Sequence, residues 1–239
     1  MSYLINNGKR LSYNNKSVTY INSIVPPVVS NIKYGYLYNW YAASNPLFAP
    51  AGWHVPTNID IQLLGDTLGT WVENDSWWLE AGGKMKEIGL DYWNAPNTGA
   101  NNISQFNSRG GGFRYGPFTP LKGVASYQGE LVSEGTIVIF YIYYDGAELS
   151  LGSSDLTGGK SVRFVKNDSV LIDSVVDIDG NIYRTTKIGD RVWLADNWAC
   201  TKLNDGTPIP NVTDNAEWVA LTTGAYCANN NDINNAFII

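Results

Sequence analysis

The chain has a single histidine, His54, in the phrase Trp53-His54-Val55-Pro56-Thr57. A histidine acting as a base works with an oriented partner and a nucleophile. The flanking residues supply neither, so His54 reads as a structural side chain at the entrance to a helix. The two cysteines, Cys200 and Cys227, lack the Cys-x-x-Cys spacing of a zinc site. They read as reduced, buried thiols, with a disulfide between them as the open alternative. Asp177-Ile178-Asp179-Gly180-Asn181 spaces the oxygens of Asp177, Asp179 and Asn181 as a calcium loop would. The closing bidentate glutamate is missing, however, and Asp-Gly is equally the mark of a hairpin turn. Gly110-Gly111-Gly112 lacks the strand–loop–helix setting of a phosphate cradle. The sequence also lacks a nucleophile elbow, a phosphate loop and a His-Glu-x-x-His pair. The expectation is a non-enzymatic protein without a cofactor, with calcium as the one candidate.

What remains is aromatic chemistry. Sugar faces stack on exposed rings, with Asn and Asp supplying hydrogen bonds around them. Three clusters qualify: Trp77-Trp78 beside Asn74-Asp75-Ser76, Tyr92-Trp93, and Tyr141 to Tyr144 followed by Asp145. The alternative use of the same rings is to fill a loop-rich core. The candidate ligand-binding residues are Trp77, Trp78, Tyr92, Trp93, Tyr143 and Asp145, with Trp77-Trp78 expected to be the exposed pair.

Composition narrows the partners. The 239 residues carry a net charge of −6 and no run of Lys or Arg, whereas a phosphate-tracking surface needs a basic stripe. Nucleic acid is therefore not expected. No stretch approaches the ~20 apolar residues of a membrane span, and the N-terminus lacks the basic and apolar regions of a signal peptide. Charged residues are only 16% and aromatics reach 13%, with 9 Trp and 15 Tyr. The surface must then rely on Asn, Ser, Thr, Gly and Tyr.

These residues are placed by short elements. In 1–33, Tyr3-Leu4-Ile5 and Val18-Thr19-Tyr20-Ile21 read as strands on either side of the turn Asn6-Asn7-Gly8-Lys9, and Pro26-Pro27 stiffens the exit. This segment is expected to attach the protein to something else. In the central block, 34–168, Thr57 caps a helix with Asp60 reaching back. Ile59, Leu63 and Leu64 are assigned to its apolar face, with Gly65 and Gly69 breaking the run. Gly82 to Gly123 is expected to be loop. Strands follow at Thr136 to Tyr144, across the turn Asp145-Gly146 to Ala147–Leu151, and at Ser161 to Lys166. In the last part, 175–239, Val175–Ile178 and Ile182–Thr186 flank Asp179-Gly180-Asn181. Gly189-Asp190-Arg191 turns the chain into Val192–Ala195, and Asp214 caps a short helix carrying Glu217, Trp218 and Leu221. The fold class predicted is α+β, with short antiparallel strands, two short helices and long ordered loops.

Several phrases together resemble the Fibrobacter succinogenes major paralogous domain. They are Tyr34-Gly35-Tyr36-Leu37-Tyr38-Asn39-Trp40-Tyr41, Gly52-Trp53-His54-Val55-Pro56-Thr57, Gly82-Gly83-Lys84, Trp93 to Ala100, and Ser161-Val162-Arg163-Phe164-Val165-Lys166. The last part resembles it in Asp179-Gly180-Asn181-Ile182-Tyr183, Lys187-Ile188-Gly189 and Asn204 to Asn211. The resemblance implies a fold similar to C-type lectins and to the formylglycine-generating enzymes, used in surface, secreted or phage-borne binding modules, and it brings no catalytic residues. Two features depart from it. Gly123-Val124-Ala125-Ser126-Tyr127-Gln128 stands where the family has a Trp-Trp-Ser phrase. The segment resembling the front of a unit, from Asp177, also follows the segment resembling its back, which ends near Asp168. The expectation is a circular permutation in which 175–239 completes the central block, with a truncated second repeat as the alternative. The predicted role is a phage virion protein (fibre, decoration or tail-associated subunit), homo-oligomeric, binding a host surface glycan or neighbouring virion proteins. A bacterial cell-surface or secreted carbohydrate-binding module is the alternative.

Overall fold

The computed structural model describes residues 29–238 apart from Asn74, and ahead of them three strands, β1 (Tyr3–Asn6), β2 (Lys9–Asn14) and β3 (Ser17–Ile21). These pair antiparallel in the order β1-β2-β3. β1 and β3 fall where the sequence places strands, and β2 is additional. Asn7, Gly8 and the Pro26-Pro27 exit lie outside the described residues.

The body then runs β4 (Leu37–Tyr38), α1 (Trp40–Ala43), β5 (Trp53–His54), α2 (Asn58–Leu68), β6 (Thr70–Val72), β7 (Trp77–Leu79) and α3 (Ala81–Met85). After a long loop come β8 (Val124–Ser133), β9 (Thr136–Tyr143), β10 (Leu149–Ser154) and β11 (Val165–Lys166). The chain finishes with β12 (Ser174–Val176), β13 (Ile182–Ile188), β14 (Arg191–Leu194), α4 (Asn215–Val219) and β15 (Tyr226–Cys227). The architecture is mostly antiparallel sheet with few short helices. Two of them, α1 and α3, are single turns beyond the two helices expected.

Two five-stranded sheets carry the body, ordered β6-β7-β10-β9-β8 and β12-β13-β14-β11-β5, and β15 pairs with β4. The second sheet joins strands from opposite ends of the chain: Val165 of β11 lies between His54 of β5 and Trp193 of β14. The hairpins form where their turns predicted, with Val176 opposite Ile182 and Ile188 opposite Arg191. The strand expected over Ser161–Lys166 is reduced to its last two residues, because Ser161 bridges instead to Tyr127.

α2 starts as its sequence dictates. The Thr57 hydroxyl accepts from the Asp60 N–H at 3.1 Å, and the Asp60 carboxylate accepts from the Thr57 N–H at 3.1 Å. Its buried face differs from the one expected. Ile61, Leu64 and Leu68 are buried, whereas Ile59 and Leu63 are exposed. Gly65 does not break the helix. A Cβ there would sit 2.2 Å from the Trp78 ring, so glycine is what lets strand β7 lie this close to the helix.

β8 occupies residues without a strand in the sequence-based assignment. It is buried along Val124–Gln128, yet Ser126 and Gln128 alternate with Ala125 and Tyr127, so one face of the strand is polar. Past Gln128 the pairing with β9 skips, two residues facing one between Gln128 and Leu131, which is a β-bulge. The bulge carries Glu130, whose carboxylate accepts the Asn58 N–H at 2.7 Å at the N-terminus of α2, where negative charge is favoured.

Candidate functional site

The single histidine is tied into the fold. His54 Nε2 lies 3.0 Å from Asp60 Oδ2 and Nδ1 lies 2.6 Å from Asn167 Oδ1. With an oxygen facing each ring nitrogen, the doubly protonated ring is favoured, and the hydrogen bond to Asp60 raises the His54 pKa. The same buried carboxylate accepts from Arg191 Nε at 2.7 Å, and these donors hold it well below the usual carboxylate range despite its burial. His54 therefore links β5, α2 and β14.

The cysteines are free and buried. Burial pushes Cys200 up to about 12 and Cys227 up to about 11, so both are neutral thiols at physiological pH. The carboxylates of the calcium-like turn face different ways. Asp177 accepts from the N–H and side-chain amide of Asn181 and from the Tyr183 hydroxyl at 2.5 Å. Asp179 accepts from the Thr201 N–H at 2.6 Å, the Thr201 hydroxyl at 2.8 Å and Lys202 Nζ at 2.7 Å. Asp177 and Asn181 thus bond each other, while Asp179 is taken up by the neighbouring loop at Thr201 and Lys202. Among the described residues no group of three or more His, Cys, Asp or Glu is placed to hold a metal ion.

The six aromatic-cluster candidates are not brought together. A strand sends successive side chains to opposite faces of its sheet, so adjacent tryptophans on β7 part company. Trp78 is 1% exposed and packs under α2, with its Nε1–H donating to Asp66 Oδ1 at 2.7 Å. Trp77 is half-buried on the other face. Trp78 as half of an exposed stacking pair is thus corrected: it is core. Trp93 is core as well, with its Nε1–H donating to the Ser108 carbonyl at 2.9 Å. Tyr92 is half-buried, with the Arg109 guanidinium 3.8 Å from its ring centre. Tyr143 and Asp145 are exposed. The turn carrying Asp145 is held from below by Lys86, whose buried ammonium donates to the carbonyls of Tyr143 at 3.1 Å and Gly146 at 2.7 Å.

An exposed indole suited to stacking stands nearby instead. Trp71 of β6 pairs directly with Trp78, their ring centres 4.5 Å apart, and it remains 40% exposed. Around it Gln62, Asp66, Ser76, Leu151 and the edge of Trp78 line a groove of about 370 Å³. Asp66 Oδ1 is occupied by Trp78, while Gln62, Asp66 and Ser76 are all exposed. A broad ring on a rigid base, rimmed by an amide, a carboxylate and a hydroxyl, can stack on one face of a sugar and hydrogen-bond its hydroxyls. The sequence held a signal for this site, a lone Trp among polar residues in Thr70-Trp71-Val72-Glu73, but the adjacent doublet masked it.

The fold is β-rich and antiparallel, with few short helices and long ordered loops, and no helix among the described residues is long and apolar enough to cross a membrane. The model of the Fibrobacter succinogenes major domain matches residues 5–128, more than half of the chain, and the chain belongs to that family. The match begins inside the segment set apart as an attachment region and ends within β8. The resembling phrases at 161–166 and 179–211 therefore lie outside it. No curated protein and no solved structure matches the chain.

Proposed function

We propose that this chain is a non-enzymatic recognition module that binds a glycan through the Trp71 groove, carried on a phage virion as a fibre, decoration or tail-associated subunit. The observation that carries the reading is Trp71 itself: a large ring left exposed, braced from behind by a buried ring and rimmed by polar side chains. Short antiparallel strands joined by long ordered loops support a C-type-lectin-like arrangement as the finer description of the fold. The separate β1-β2-β3 sheet supports an attachment role ahead of the body. The order of the resembling segments supports a circularly permuted family unit.

Two measurements test the reading. On a panel of neutral host-surface glycans, Trp71→Ala should weaken binding at least tenfold, since truncating an aromatic anchor costs about 2 kcal/mol or more. Its stability should drop by only about 0.5–1.5 kcal/mol, the worth of one lost aromatic pair. Unchanged glycan binding by Trp71→Ala removes the groove from the proposal. In purified particles, mass spectrometry should find the protein as a multi-copy component. Its presence in bacterial surface fractions and absence from particles would move it to the cell-surface alternative.

A further inference from the structure

The body buries two lysines completely, Lys86 and Lys160, and they are treated very differently. Lys86 is satisfied by the carbonyls of the 143–146 turn. Among the described residues Lys160 Nζ has no hydrogen-bond partner. Its ammonium lies 3.7 Å from the centre of the Tyr115 ring and 4.5 Å from that of Phe113. Gly158 makes room for this, since a Cβ there would come 2.8 Å from the Tyr115 ring and 3.0 Å from Lys160 Nζ.

Lys160 forms the back of a cavity of about 190 Å³ walled by Phe113, Tyr115, Val124, Ile139, Tyr141 and Tyr143, with Ser126 beside it. Ser126 Oγ is also buried and without a partner. The register explains the grouping. Tyr141 lies opposite Ser126 and Tyr143 opposite Val124, and Tyr141 lies opposite Ser150, which faces Trp77. All are on the face of the sheet turned away from Trp78, so this cavity and the Trp71 groove lie on opposite sides. Tyr143, 49% exposed, stands at the mouth.

Burying an ammonium and a hydroxyl without acceptors is unfavourable, and π faces compensate a cation only in part. Two unpartnered donors at the end of an aromatic-walled cavity match the two oxygens of a carboxylate attached to a flat or cyclic body. A phosphate would need further donors. We propose that this cavity is a binding site for a carboxylate borne on a six-membered ring, with Lys160 and Ser126 taking the carboxylate and Tyr115, Tyr141 and Tyr143 the ring. An acidic sugar and an aromatic acid share that chemistry.

Binding should also depend on pH. Burial lowers Lys160 to about 7, and the carboxylate acting on it, Asp155, has its Oδ1 occupied by Thr157 and Gly158. The facing phenols of Tyr115 and Tyr143 are held above the usual tyrosine range by burial. The ligand takes the protonated amine, so affinity should be level below about pH 7 and fall roughly tenfold per unit above it.

The test is titration of the full chain with sodium glucuronate, sodium benzoate and glucose, followed by NMR of the tyrosine rings. Saturable shifts from glucuronate alone assign an acidic sugar, and from benzoate alone an aromatic acid. Lys160→Met should lose the binding reported by the tyrosine rings at least tenfold. The proposal is overturned if neither acid saturates the site, if glucose shifts the same tyrosine rings equally well, or if Lys160→Met binds the acids as the parent does. Should Lys160→Met fail to fold, the parent's pH profile decides: affinity constant between about pH 6 and 9 overturns the assignment.

Discussion

Trp78→Ala should destabilise the protein by about 3–5 kcal/mol, the usual cost of removing a buried tryptophan. Trp78 is 1% exposed and touches Gly65 of α2 and Trp71 of β6. It belongs to a cluster with Ile61, Leu64, Leu68, Phe140 and Leu149. Its loss opens a cavity that the helix cannot refill, because α2 is anchored at its start by Thr57, Asp60 and Glu130. At about 2–4 °C per kcal/mol for a domain of this size, the melting temperature should fall by roughly 6–20 °C. Gly65→Ala provides the complementary test. Helix propensity alone would make it stabilising by nearly 1 kcal/mol, but a Cβ 2.2 Å from the indole forces β7 away. Urea melts of both variants should show large losses. Trp78→Ala within about 1 kcal/mol of the parent would mean that the ring is not core.

What the sequence made legible was local chemistry. Thr57 with Asp60, and Asp214 with Glu217, named two helix starts correctly, because a cap needs only residues three apart. Asp179-Gly180 and Gly189-Asp190 likewise fixed their hairpins, with Gly180 and Gly189 at positive φ. What escaped was set by partners far away in the chain. Ile59 and Leu63 read as a buried stripe, but α2 packs against β6, β7, β8 and α3, and the face it turns to them carries Ile61, Leu64 and Leu68. β8 has no sequence-based assignment, its apolar pattern being interrupted by Ser126 and Gln128. Ser126 is buried beside Lys160, Phe113 and Tyr115, and buried Gln128 donates to the Tyr38 carbonyl, contacts that no short window reveals. The doublet Trp77-Trp78 did contain its own correction. On a strand, neighbouring rings must take opposite faces, so one of the pair was always going to be inside. Lys160 gave no sign, since a lysine after two glycines reads as solvated surface.

A chain ending at Ser174 should fail to fold on its own. The residues it lacks supply β13 and β14 to the second sheet, leaving β11 with β5 as its only strand neighbour, and they remove β15 from β4. Two buried arginines would lose several of their acceptors, Arg114 keeping the Gly116 carbonyl and Arg163 those of Phe106 and Asn107. Arg114 donates to the carbonyls of Val212 at 2.7 Å, Thr213 at 2.9 Å and Asp214 at 3.0 Å, and lies 4.5 Å from the Trp218 ring centre. Arg163 donates to Asn197 Oδ1 at 2.6 Å and to the Leu194 carbonyl at 3.0 Å. Stranding a buried charge costs about 3–5 kcal/mol. Two such losses, together with the exposure of Phe48 and Phe164 where they pack against Trp198, are comparable with the 5–15 kcal/mol that holds an ordinary domain folded. The shortened chain should aggregate or melt far below the parent, and added 175–239 peptide should restore a cooperative transition. The circular-permutation reading requires that rescue, because a completing segment works in trans as it does in cis. The peptide alone should stay unfolded, one hairpin and one short helix being too small to bury a core. Sedimentation of the intact chain then separates two arrangements: a monomer if each tail completes its own body, an oligomer if tails are exchanged. Cooperative melting of the shortened chain at the parent's temperature would make 175–239 an independent, truncated repeat and end the permutation proposal.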